Sequence, residues 1–289
     1  MDDHWTREAR KIFGNPDPPA AITEDQFDGD QEDLVRYVSI PWQQASHDDV
    51  DFFWAYNHDL TYVDLQEDLF RYAFPMCLAR WRWTLSIRTD AGQGDSDFHR
   101  ALANGGALAL LGESERHAVQ KYFIEGLEER LDDQKPNDHH FYTAWARAAS
   151  LCYSVPILDE VWQMWCRLDT PGKCLALQQL YKEICNRPEA PSYIEEVLQP
   201  DSDIWTDVWL PENLTTFQSA ITGEKMCRAV QIANERLGSD HLIQSLPAFA
   251  QPEGAATFVE DKLRQIQRQY EEPLSKRQLT DLEQNYPQS

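Results

Sequence analysis

No stretch of this 289-residue chain approaches the ~18 consecutive apolar residues that a membrane-spanning helix needs. The first residues, MDDHWTREARKIF, are acidic and mixed. They lack the basic start and apolar middle of a secretory signal, so the chain is expected in the cytoplasm. The six cysteines (77, 152, 166, 174, 185 and 227) form no CxxC pair and share no spacing. That pattern predicts buried thiols rather than a disulfide framework or a zinc site. There is no GxSxG elbow, no Walker lysine loop and no dinucleotide glycine fingerprint, and no cofactor is expected.

Positive charge is also scarce, with 26 lysines and arginines against 49 carboxylates. Nucleic acid and anionic membrane are poor partners for such a chain, because both are bound through clustered Lys and Arg. Encounter with a cationic protein would instead be accelerated. The excess is uneven: residues 1–70 carry 17 acidic and 4 basic side chains, whereas residues 71–131 carry eight of each.

What the sequence does contain is aromatic mass, 11% of residues with ten tryptophans, enough for a packed core. The stretch from His47 to Trp83 combines both features. Its first part interleaves Asp48, Asp49, Asp51, Asp59, Asp64, Glu67 and Asp68 with Phe52, Phe53, Trp54, Tyr56 and Tyr62. Consecutive aromatics cannot all face one side of a helix or strand. At least one of them is therefore expected at the surface beside carboxylates, where it could anchor a partner. Asp48, Asp49, Asp51, Phe53, Trp54, Tyr56, Asp59 and Asp64 are the candidate partner-binding residues.

Hydrophobic periodicity predicts a mostly α chain, an irregular multi-helix bundle with little or no β structure. Trp5, Ala9, Ile12 and Phe13 predict a first helix, closed near Gly14. YVSIPW (37–42) reads as a short extended piece. From Leu60 a helical stripe runs to Trp81, with a kink or break expected at Pro75. Glu113–Leu131 is amphipathic, with Val119, Tyr122, Phe123, Leu127 and Leu131 inward. Leu158, Val161, Trp162, Trp165 and Leu168 form another stripe, and Thr170-Pro171 is a helix start. Further helices are expected near 140–152, 192–198, 201–210, 211–221, 223–237, 254–270 and 274–284. The polar run 132–138 divides an N-terminal unit (1–132) from a C-terminal one (138–289), the two being able to pack together.

The most enzyme-like feature is His58-Asp59, the dyad of metal-dependent HD phosphohydrolases. Such a site needs imidazoles and carboxylates converging on a divalent ion that activates water. His4 or His47 upstream, and Asp97 or Asp133 downstream, would have to complete it. Asp138-His139-His140 is a weaker metal candidate, since neighbouring histidines on a helix point apart.

LFRYAFPMCL (69–78) followed by SERHAVQKYFIEGL (114–127) resembles a pair of packing motifs in small, uncharacterised bacterial helical proteins. They cover about a quarter of the chain and imply helix packing rather than an active site. The acidic, tryptophan-rich chain without catalytic signatures is similar to the immunity proteins of bacterial polymorphic toxin systems. That resemblance implies a non-enzymatic inhibitor that covers the basic or catalytic surface of a cognate toxin. An HD-type hydrolase centred on His58 and Asp59, and a helical adaptor, are the alternatives.

Overall fold

The computed structural model describes residues 3–22, 35–36, 38–46, 50, 66–86, 98–99, 102–103, 106–135, 141–186, 210–220 and 223–237, several helical ones by backbone alone. Among the described residues there is no strand, as the sequence pattern requires. The helices are α1 (His4–Ile12), α2 (Glu67–Ser86), α3 (Glu113–Asp132), α4 (Phe141–Leu151), α5 (Leu158–Trp165), α6 (Pro171–Asn186), α7 (Pro211–Ala220) and α8 (Gly223–Leu237). A 3₁₀ turn at Gly106–Leu110 precedes α3.

Helix α2 is the centre. An amphipathic reading from one stripe understates it, because Leu69, Phe70, Tyr72 to Trp81, Thr84 and Leu85 are all buried. A helix apolar on every side has to be enclosed by others. Pro75 lies in its middle, and the expected kink or break is not a break: the helix continues unbroken to Ser86. An interior proline costs a helix about 3 kcal/mol. Burying Phe74, Met76, Cys77 and Leu78 around it offsets that, each large apolar side chain contributing ~1.5–3 kcal/mol.

Two ion pairs fix how α3 lies on α2. Arg71 meets Glu115 at 2.6 Å, and eleven residues further along Arg82 meets Glu129 at 2.6 Å. Residue numbers rise together in both pairs, so α2 and α3 run in the same direction. Between the two pairs Trp81 packs edge-on against Phe123, ring centroids 4.8 Å apart. Gly126 lets the indole approach, since a Cβ there would sit 3.1 Å from it. The two motifs noted in the sequence are thus halves of one packed pair.

At the N-terminus, Asp3 caps α1 through the Thr6 amide at 2.7 Å. Gly14 and Asn15, both at positive φ, end it. The predicted extended piece at 37–42 is a correction: Val38 and Ser39 are helical, and a turn follows in which Gln44 donates to the Pro41 carbonyl at 2.7 Å. The Pro41 carbonyl also accepts from the Ala45 amide at 3.3 Å, and this turn bonding outweighs the β-branched neighbours.

Helix α5 buries Leu158, Val161, Trp162 and Trp165, the predicted stripe, and Leu168 follows it into the core. Thr170 caps α6, its hydroxyl accepting from the Lys173 amide at 3.3 Å. Helix α7 is tied back by Asn213. Its amide donates to the Cys152 and Val155 carbonyls at 2.9 and 2.7 Å, and its carbonyl accepts from the Leu158 amide at 3.0 Å. One buried cluster runs from Ala9 through α2 to α6 and on to Ala233 of α8.

Candidate functional site

The stretch His47–Trp83 is described at Val50 and again from Gln66 onward, where it forms most of α2. Val50 is buried in the common core, while Ser46 just before it is exposed. Asp48, Asp49, Asp51, Phe53, Trp54, Tyr56, Asp59 and Asp64 lie outside the described residues, as do His58 and the Asp138–His140 run. So do Trp205 and Trp209, whereas Trp162 and Trp165 are core residues.

What periodicity could not reveal is a set of buried cations. Arg10, Arg80, Arg82, Arg130, Arg147 and Lys173 are all interior, and among the described residues no Asp or Glu is. The five arginines share a position: each lies in the last two turns of its own helix. There the aligned peptide dipoles present partial negative charge and the terminal carbonyls await donors. The arginines' partners differ: Arg10 donates to the Pro16 carbonyl, Arg82 to the Glu129 carboxylate, and Arg147 to the Trp81 carbonyl of α2.

Arg147 of α4 is fully buried and donates to the Trp81 carbonyl at 2.8 Å and the Thr84 hydroxyl at 2.9 Å. The Trp81 indole N–H donates in turn to His99 Nε2 at 3.0 Å. That bond leaves Nε2 unprotonated. Burial, helped by the Arg147 charge, lowers the His99 pKa to about 3, so the ring stays neutral. Arg82 lies 5.0 Å over the Tyr122 ring while it pairs with Glu129. Burial raises the Tyr122 phenol, whose O–H donates to the Trp5 carbonyl at 3.2 Å.

Lys173 joins α6 to the end of α3. Its ammonium, 1% exposed, lies 2.7 Å from Glu128, 2.8 Å from Asp169 and 3.5 Å from Asp132. Arg167 shares Glu128 at 2.8 Å. Gly172 permits this junction, because a Cβ there would overlap the carbonyl oxygens of Leu131 and Asp132.

These groups are structural in their chemistry. Among the described residues no cluster of three His, Cys, Asp or Glu side chains is set to hold a metal ion. Burial drives the Cys152 thiol well up, Cys166 to about 11 and Cys174 upward, so these three are poor nucleophiles. No helix among the described residues is long and apolar enough to cross a membrane. No protein-family model, curated protein or solved structure matches the chain.

Proposed function

We propose that this chain is an acidic cytoplasmic binding protein that neutralises a cationic protein partner. In this it would act as the immunity proteins of polymorphic toxin systems do, by covering the partner's basic or catalytic surface. The observation that carries this reading is the uneven acid excess along the chain: residues 1–70 carry 17 acidic and 4 basic side chains, against eight of each in residues 71–131.

Six of the described cations are internal, which leaves the surface more acidic still. Such an acid excess is suited to steering a basic partner. Phe53, Trp54 and Tyr56 would supply the desolvated anchors that charge alone does not.

The test is capture of a partner from the native host on the full-length chain at low and high salt. A basic protein retained at low salt, shed at high salt, and inhibited by the chain supports the reading. A folded bait that retains nothing at low salt sinks it. Reversing Asp48, Asp49 and Asp51 to lysine should slow association much more than it speeds dissociation. If neither rate moves, these residues are not the contact face.

A further inference from the structure

The N-terminal segment is built as a strap across α2 and α3. Helix α1 has nine residues, too few to persist in water without tertiary contacts. It is held by Ala9 and Phe13, which are buried, by Phe13 edge-on to Phe74 at 5.7 Å, and by Tyr122 donating to Trp5. Its far end is pinned separately, where the Gln66 amide donates to the Ala21 carbonyl at 2.7 Å.

Between these anchors lies Arg10. Its guanidinium is buried between the rings of Trp42 (4.6 Å) and Tyr72 (5.7 Å). Nη2 donates to the Pro16 carbonyl at 2.6 Å, but Nε and Nη1 are buried and have no acceptor among the described residues. Docking α1 therefore strands N–H groups that water would satisfy at once if the helix lifted. The aromatic rings return only part of that loss.

We infer that residues 3–20 lift from α2 and α3 as one unit about the Ala21–Gln66 contact, and that the half-satisfied Arg10 guanidinium sets how often they do. Lifting hydrates Arg10 and bares an aromatic floor of Tyr72, Phe74 and Tyr122, without unfolding the bundle below. The inference is independent of any partner's identity.

Native-state hydrogen exchange on the full-length chain tests it, comparing wild type with Arg10→Met and Phe13→Ala. Methionine keeps an unbranched stem against Trp42 and Tyr72 and removes the stranded donors. In wild type the amides of α1 should exchange at least about tenfold faster than those of α3, as expected of a separate opening unit. Arg10→Met should slow α1 about tenfold, roughly the worth of one unmet buried donor, and leave α3 unchanged. Phe13→Ala should speed α1 alone. Equal protection of α1 and α3 in wild type overturns the inference. So does Arg10→Met leaving α1 unchanged or faster, or Phe13→Ala accelerating both helices by the same factor.

Discussion

The Lys173 ammonium lies 2.7 Å from the Glu128 carboxylate, one side of the pair 1% exposed and the other 30%. The pair is therefore asymmetric: removing the cation lets three carboxylates regain water, whereas neutralising them strands a buried charge.

Lys173→Met should cost about 2 kcal/mol in denaturant unfolding, less than the 3–5 kcal/mol typical of a broken, fully buried pair. The Lys173 hydrogen bond holds the Asp169 carboxyl below its ordinary value of 3.8. A depressed carboxyl contributes stability above the unfolded value and loses it as pH falls through the folded one. The gap between wild type and Lys173→Met should thus be widest near neutrality and narrow below pH 3.8.

His99 loses stability on acidification too, but at higher pH and because its neutral form is the one that is buried. Its folded pKa of about 3 lies below the ordinary 6.5, so between these values only the unfolded chain binds the proton. Stability should therefore fall on acidification by about 1.4 kcal/mol per pH unit below 6.5. His99→Gln keeps an acceptor for the Trp81 indole and removes that slope. Unfolding free energies measured at several pH values above the carboxylate range compare the two directly.

Two glycines should separate sharply. Gly172→Ala drives a methyl into the last carbonyls of α3 and should cost about 3 kcal/mol, the upper end for overpacking. Gly112 precedes α3 in extended backbone, where an added Cβ would meet Glu115 Oε2 at an ordinary 3.7 Å, and its amide is bonded to Glu115 at 3.0 Å. Gly112→Ser adds the missing N-cap and should raise stability by a few tenths of a kcal/mol. Thermal melts of the two variants read the contrast.

The Asn213 side chain accepts from the Leu158 amide and donates to the Cys152 and Val155 carbonyls, which also accept from the Leu210 and Ile157 amides at 3.0 and 2.9 Å. Asn213→Ala should cost about 2–4 kcal/mol, and Asn213→Asp no less, since a carboxylate cannot donate to the Cys152 and Val155 carbonyls. Rapid exchange of α7 in both variants, with α3 protected, is the expected signature.

Much of this framework was legible in the pattern of apolar residues. The stripes of α3 and α5 and the Thr170-Pro171 start follow from spacing and cap chemistry alone. The all-round burial of α2 did not, because Arg80 and Arg82 break any simple apolar face. Arg147 and Lys173 were invisible for the same reason: a charged residue reads as surface unless its helix end and neighbours are known. A hint existed in the repeated placement of arginine near predicted helix C-termini. The candidate contact residues Asp48 to Asp64 were named by charge and aromatic pattern, and they lie outside the described residues.

The shared direction of α2 and α3 has a kinetic consequence. Their ion pairs join residues 44 and 47 positions apart, and before α3 can begin the chain must return along α2, a helix of about 30 Å. Antiparallel neighbours in an up-and-down bundle meet across a short turn and pay little for closure. Here the central pair closes a long loop before any of its contacts forms, so folding should be slower than for an up-and-down bundle of similar helix content. Substitutions at Trp81 or Phe123 should then register in the folding rate as well as in stability.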